Sequence, residues 1–164
     1  MATAKTYKKG DKAVYPAHGV GEITDIQMRS LGGQKRSFYV LEILENNMKI
    51  MVPVETAATA GMRPLISRKD AKKVVDILKT DEVAVKTQPW NRRYREYMEM
   101  LKSGSPFDVA RVLRDLYRLR SGKELSFGER RLLDTARSLL MTELAFSLRK
   151  KEASIEKEIL AIFE

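Results

Sequence analysis

The N-terminal fold is decided by the stretch Ser37-Phe38-Tyr39-Val40-Leu41-Glu42-Ile43-Leu44, which is rich in residues that favour β-strands. Residues 22–28 before it alternate polar and apolar side chains, as a strand with one buried face does. Between them lies Gly32-Gly33, which adopts positive φ without steric cost and predicts a tight turn. Asn46-Asn47 predicts a second turn before the apolar run at residues 48–54. The pattern predicts four or five short strands curled into a small antiparallel sheet or barrel.

The apolar period changes near Ser67 from that of strands to that of helices. Ser67 is followed at the third position by Asp70, and Ser126 by Glu129, which is the spacing of helix-capping boxes. Apolar residues then recur every three or four positions, as they do on the buried face of a helix. The segments with this period are residues 74–78, 94–101, 109–116, 132–144 and 155–163.

The two patterns together predict a two-domain α+β protein, with a β domain at residues 1–67 and a compact all-α domain at residues 68–164. Residues 80–89 have no clear period and are interpreted as a connector. The chain has no cysteine, so disulfides and thiolate chemistry are excluded and a reducing cytoplasm is the expected compartment. No apolar run approaches the roughly 18 residues of a membrane span, and the polar N-terminus does not resemble a signal peptide. We therefore expect no membrane partner.

Residues that could support catalysis are scarce in this sequence. The single histidine, His18, lies in a Pro-Ala-His-Gly turn without a nucleophile motif around it. Gly19 and Gly21 have strand-like flanks and are not followed by the Lys-Ser/Thr of a phosphate loop. Metal-ligand spacings are also missing. We therefore expect no enzyme activity, no cofactor, no metal site and no small-molecule substrate.

Positive charge is concentrated in one part of the chain. Lys and Arg number 31 against 22 Asp and Glu, which gives a formal net charge of +9. Residues 86–131 hold 12 basic and 6 acidic side chains, so this segment carries most of the excess. A basic surface of this kind favours a polyanion such as nucleic acid as the partner.

The segment Gln88-Pro89-Trp90-Asn91-Arg92-Arg93-Tyr94-Arg95 combines the only tryptophan with three arginines at a predicted helix start. Helix N-termini attract phosphates, guanidinium groups bind them in a fork, and an exposed indole can wedge against a base step. The alternative is that Trp90 packs on the domain core while the arginines are solvated. The segment alone leaves both interpretations open, with core packing as the simpler one.

Further arginines share helix faces downstream. Arg111, Arg114 and Arg118 recur at spacings of three and four residues, and Arg130-Arg131 follows the next predicted cap. Because acidic residues occur at the same spacing, a solvated, ion-paired face explains these arginines, taken alone, better than a binding face does.

Several motifs resemble the CarD/CdnL family of bacterial transcription regulators, in its stand-alone form. They follow one another in the family's order over almost the whole chain, and this combination is specific. The matching segments are residues 10–16, 18–21, 52–55, 89–94, 110–116 and 125–133.

The resemblance implies a Tudor-like β module, similar to the polymerase-interacting domain of the transcription-repair coupling factor. That module is expected to dock on the β subunit of bacterial RNA polymerase by adding strand to strand. Pro53 cannot donate to a strand ladder and so fits an edge strand, although the run before it also fits a core strand. The expected polymerase contacts are Arg29, Leu41, Met51 and Pro53, with Met51 standing where some relatives carry arginine.

For the helical domain, the resemblance implies contact with promoter DNA at the upstream edge of the transcription bubble. Trp90 matches the family's wedge residue at the minor groove, and the arginines beside it match its basic surroundings. The residues expected to contact DNA are Trp90, Arg92, Arg93, Arg95, Arg114, Arg118, Arg130 and Arg131.

The expected function is to stabilise the promoter open complex, in the cytoplasm and at the nucleoid through the polymerase. The alternative is a free-standing DNA-architectural protein whose β domain is purely structural.

Overall fold

The structure, a computed structural model, describes residues 6–80, 89–122 and 124–163, so residues 81–88 of the expected connector lie outside the described residues. The chain divides into a unit that ends at Leu65 and a unit that begins at Ile66. In its described part, the first unit contains β1 (Lys12–Tyr15), β2 (Gly19–Leu31), β3 (Gln34–Ile43), β4 (Lys49–Pro53) and a 3-10 turn at Val54–Thr56.

The second unit is helical throughout its described elements. These are α1 (Arg68–Leu78), α2 (Trp90–Lys102), α3 (Pro106–Gly122), α4 (Phe127–Leu148) and α5 (Glu152–Ile162). The α+β class, with a curled, Tudor-like antiparallel sheet followed by helices, is therefore confirmed.

β2 and β3 form a long antiparallel hairpin that organises the sheet. Gly32 and Gly33 close it with φ of 57° and 82°, in the left-handed region that favours glycine. A bulge between Ile23 and Asp25 interrupts the ladder and bends β2, which lets the sheet curl. The curled sheet encloses a core of Tyr7, Ala13, Ile23, Tyr39, Leu41, Ile43, Val52, Ala57 and Met62.

Strand pairing assigns the side chains of this sheet to two faces. Residues directly opposite each other project to the same face. Tyr39 is opposite Val52, and both are buried on the core face. The other face, called the outer face below, carries Asp25, Gln27 and Arg29 on β2, Arg36, Phe38 and Val40 on β3, and Lys49, Met51 and Pro53 on β4.

The two edges of the sheet differ in how they are covered. The strand order is β1-β2-β3-β4, so β1 and β4 are the edge strands. On the β1 edge, the Val14 N–H donates to the Arg63 carbonyl at 2.7 Å, and the Arg63 N–H donates back to Val14 at 3.0 Å. Among the described residues, no such bridge covers β4, so its outer backbone groups can accept another strand.

α3 lies at the centre of the helical unit and packs on α1, α2 and α4. Its predicted stripe is buried, and so are apolar residues of the surrounding helices. At the start of α4, the Ser126 Oγ accepts from the Glu129 N–H at 3.2 Å, and the Glu129 Oε1 accepts from the Ser126 N–H at 3.0 Å. The predicted capping box at Ser126 is therefore confirmed.

The residue that caps the C-terminal end of α4 is Arg149, whose φ of 54° and ψ of 45° are left-handed. A side chain in this conformation is strained by about 1 kcal/mol relative to glycine. We expect Arg149→Gly to raise the free energy of unfolding by roughly that amount, measured by urea titration. Arg149→Ala removes the same side chain but keeps Cβ, so it should bring no such gain. Equal stability of the two variants would contradict this account.

Candidate functional site

The outer face presents mixed apolar and charged side chains beside the open β4 edge. Met51 is 40% exposed, Arg29 is exposed and Pro53 is half-buried. The structure therefore places three of the four expected polymerase contacts on one surface. A shallow depression of about 540 Å³ on this face is lined by Lys9, Thr24, Asp25, Gln27, Arg29, Val40, Lys49 and Met51.

The fourth expected contact, Leu41, lies on the core face of the sheet. It is 0% exposed, so its side chain cannot reach a partner while the domain is folded. Val40 lies directly opposite Met51 on the outer face, but it is only 7% exposed. Because neighbouring residues on a strand project to opposite faces, the register between β3 and β4 puts Leu41 on the core face and Val40 on the outer face.

A ladder of side-chain hydrogen bonds orients Arg29 on the outer face. The Arg29 Nη2 donates to the Gln27 Oε1 at 3.0 Å, and the Gln27 Nε2 donates to the Asp25 Oδ2 at 3.0 Å. The pKa of Asp25 is lowered, mainly by this bond from Gln27 and then by the Ile26 N–H. The carboxylate therefore stays ionised and holds the ladder at neutral pH.

Trp90 begins α2 directly after Pro89. Its indole packs against the helical core on one side but is only half-buried, so it also reaches the surface. Its ring centroid lies 5.7 Å from that of Tyr94, at an interplanar angle of 60°. The Arg93 Cζ lies over the indole, 5.1 Å from its centroid.

The three arginines near Trp90 differ in their surroundings. The Arg92 side chain is 71% exposed and forms a long ion pair with Glu96, at an Nε–Oε1 distance of 3.9 Å. Arg95 is also exposed. Arg93, by contrast, is buried, and its Nη2 donates to the Glu129 Oε2 at 3.0 Å. Arg93 therefore supports the indole from within the fold, while Arg92 and Arg95 face solvent.

Arg114 and Arg118, both expected to contact DNA, instead hold the end of α1. Arg114 is buried beside Asp115 and donates to the Thr80 hydroxyl at 2.6 Å. Arg118 donates to the carbonyls of Thr80 at 2.9 Å and Lys79 at 3.4 Å. Both arginines therefore hold the residues directly after α1 against α3. Since both guanidinium groups are bonded within the fold, we do not expect Arg114 and Arg118 to contact DNA.

Arg130 and Arg131 are exposed near the start of α4. Arg130 donates to the Leu125 carbonyl at 3.2 Å and to Glu124 at 3.1 Å. The Glu124 side chain is 87% exposed, so this ion pair is weak and can exchange for a phosphate.

The starts of α2 and α4 lie against each other, because Gly128 of α4 packs on the indole of Trp90. Exposed arginines from both helix starts accompany this contact, Arg92 and Arg95 on α2 and Arg130 and Arg131 on α4. The residues of this basic surface, as it is called below, are Trp90, Arg92, Arg95, Arg130 and Arg131.

Apolar residues next to the basic surface were not predicted as functional. Phe127 is 81% exposed and Tyr94 is 43% exposed. Phe127 directly follows the predicted cap Ser126 and lies outside the buried stripe of α4. The sequence could therefore have indicated that Phe127 faces solvent. A cleft of about 800 Å³ beside Trp90 is lined by Trp90, Asn91, Tyr94, Arg95, Met98, Glu99, Lys102 and Gly128.

His18 lies in its turn with Nδ1 3.1 Å from the Pro16 carbonyl. Within residues 6–80, 89–122 and 124–163, no group of three acidic or histidine side chains could hold a metal ion. In the same part of the chain, no helix has the length and apolar character needed to cross a membrane.

Comparison with known proteins decides the family. The model of the CarD-like/TRCF RID domain matches residues 7–66, and that of the CarD C-terminal domain matches residues 73–160. The chain belongs to the CarD/CdnL family. Membership of this family implies regulation of transcription through RNA polymerase, and the RID-type domain implies an interaction with the polymerase β subunit.

Two relatives of this CarD-family protein illustrate the match. YdeB of Bacillus subtilis (strain 168), named a proposed transcription factor, is 31% identical over 138 residues, which cover 84% of this chain and 90% of YdeB. The solved structure of CdnLNt from Myxococcus xanthus is 48% identical over 41% of this chain and 94% of its own, with a TM-score of 0.33.

Proposed function

We propose that this CarD-family protein stabilises the promoter open complex while it is bound to RNA polymerase. The β domain, residues 1–67, binds the polymerase β subunit through the outer face and the β4 edge. The helical domain, residues 68–164, contacts promoter DNA at the upstream edge of the bubble, and the protein reaches the nucleoid through the polymerase. The observation that carries the proposal is Trp90, the only tryptophan, half-exposed at a helix start beside exposed arginines.

The polymerase half of the proposal is supported by the open edge of β4. A strand added there would form main-chain hydrogen bonds, which supply affinity with little dependence on sequence. The side chains that alternate along the outer face would then supply specificity. Met51 offers an exposed apolar contact, while Arg29 offers an oriented charge that suits an acidic partner.

Met51→Asp tests this contact. A charge introduced into an interface core should weaken polymerase binding by roughly 2–5 kcal/mol, measured by pull-down or by titration with labelled polymerase. Met28→Asp is the matched control, because Met28 is 70% exposed on the same sheet but projects from the face opposite to Met51. Binding that survives Met51→Asp in a folded protein, or that falls equally with both variants, would place the contact elsewhere.

The DNA half of the proposal is supported by the composition of the basic surface. Exposed guanidinium groups bind phosphates without reading sequence, and aromatic groups stack on bases or lean on a base step. Since the polymerase determines the position on the promoter, the helical domain needs neither high affinity nor its own operator. Phosphate contacts and the indole are sufficient for that role.

Arg95→Gln tests the phosphate contacts. If Arg95 neutralises one phosphate, the log–log salt dependence of DNA binding should become less steep by about 0.9, measured by fluorescence polarisation with a labelled fork-junction duplex. Arg118→Gln is the control, because its bonds to the end of α1 predict a lower melting temperature and an unchanged salt dependence. If Arg118→Gln made the salt dependence less steep and Arg95→Gln left it unchanged, the DNA contact would lie on α3 instead.

The mechanism is one of linked equilibria. A protein that binds the melted promoter better than the closed one shifts the balance toward melting by no more than its difference in affinity. An indole held at the junction of duplex and bubble makes a contact that the closed promoter does not offer. No ATP and no covalent step are required.

Trp90→Ala tests the wedge. If about 1.4 kcal/mol of stacking is lost, open complexes should dissociate roughly 10-fold faster after challenge with a competitor. Trp90→Phe keeps an aromatic ring and should retain part of the effect, and polymerase binding should be unchanged in both variants. Because the indole also packs on the core, melting of the helical domain is measured on the same samples. A folded Trp90→Ala protein with a wild-type open-complex lifetime would exclude the wedge.

A further inference from the structure

We infer that the buried ion pair Arg93–Glu129, together with Gly128, holds the Trp90 indole in one orientation, so that these three are positioning residues for the wedge. The inference rests on the proposed function for its consequence at the promoter. The geometry of the indole itself stands independently of that function.

The indole is enclosed from two directions by residues of different helices. On one side, the Arg93 guanidinium lies over the ring with Cζ 5.1 Å from the centroid. On another, Gly128 leaves so little space that an added Cβ would lie 3.1 Å from the Trp90 Cζ2. Gly128 is helical and has no positive φ, so close approach of the ring, and not backbone strain, accounts for glycine here.

Glu129 fixes Arg93 because each of its two carboxylate oxygens accepts a different hydrogen bond. Its Oε1 accepts the Ser126 N–H in the α4 cap, and its Oε2 accepts from the Arg93 Nη2 at 3.0 Å. The side chains of Arg93 and Glu129 are only 10% and 3% exposed. The cap therefore sets the position of the carboxylate, the carboxylate sets that of the guanidinium, and the guanidinium covers the indole.

The Arg93–Glu129 pair joins α2 and α4 at a cost in desolvation free energy. Buried ion pairs are often no more stabilising than apolar residues of similar volume, because both groups lose their hydration. The Arg93 Nε is also buried without a hydrogen-bond partner among the described residues. A buried polar group that is only partly satisfied calls for an explanation beyond stability, and here the planar guanidinium supplies a flat support for the ring.

The helical unit contains a second buried pair that serves as a matched control. Arg114 and Asp115 have side chains only 5% and 3% exposed and an N–O distance of 3.1 Å. Arg114 donates to Asp115 at 3.1 Å and to the Thr80 hydroxyl at 2.6 Å, whereas the guanidinium over the Trp90 ring is that of Arg93. Losing this pair should cost stability without freeing the indole.

Because Trp90 is the only tryptophan, its intrinsic fluorescence reports on the indole alone. In the full-length chain, we expect Glu129→Gln to increase quenching by acrylamide and to add a fast component to the anisotropy decay. Glutamine can still cap α4, so the helix itself should persist. Asp115→Asn should leave both signals at their wild-type values. Gly128→Val provides a second variant, which keeps the ion pair and the cap but displaces the ring.

In complex with polymerase and promoter, Glu129→Gln and Gly128→Val should shorten the open-complex lifetime by about 2- to 10-fold, up to the loss expected for Trp90→Ala. Asp115→Asn should not shorten it. Indole signals that stay at wild-type values in folded Glu129→Gln and Gly128→Val would overturn the inference. So would a freed indole with an unchanged lifetime, provided that Trp90→Ala shortens it. An unchanged lifetime in Trp90→Ala itself would overturn the proposed DNA contact, while the fluorescence would still decide how the indole is held.

Discussion

The buried ion pair between Arg93 and Glu129 is the contact on which the surface of the helical unit depends. It joins residues 36 positions apart, at the starts of α2 and α4, and neither charge could stay out of water without the other. The ion pair thereby joins the first turns of α2 and α4 to each other. The exposed arginines and aromatic rings on these turns are held near each other by the pair, although none of them takes part in it.

The two units use different physics for the two contacts that we propose. The β unit offers an open strand edge, which relies on main-chain hydrogen bonds and apolar side chains. The helical unit offers exposed cations and an aromatic ring, which rely on charge and stacking. Two weak contacts joined in one chain act together, because the first raises the local concentration of the second. Neither surface therefore needs to bind tightly alone.

Much of this arrangement could be predicted from the sequence, and the exceptions have physical causes. Strand alternation, the Gly32-Gly33 turn and the Ser126 cap depend on neighbouring residues, so local patterns reveal them. The side of the sheet occupied by Leu41 depends on pairing with β4, which no local pattern fixes. Likewise, helical spacing groups Arg114 with Arg118 but does not reveal that the end of α1 lies opposite them. Long-range contacts, not propensities, decided which arginines remain at the surface.

The unequal edges of the sheet have a consequence for stoichiometry. The bridge between Val14 and Arg63 closes one edge, and in the described part of the chain only β4 can accept another strand. A sheet with one open edge can add only one partner strand. Once a strand of the partner pairs with β4, the β1 edge offers no second position for strand addition. Strand addition at β4 would therefore join this sheet to one partner strand without opening a new edge on the β1 side.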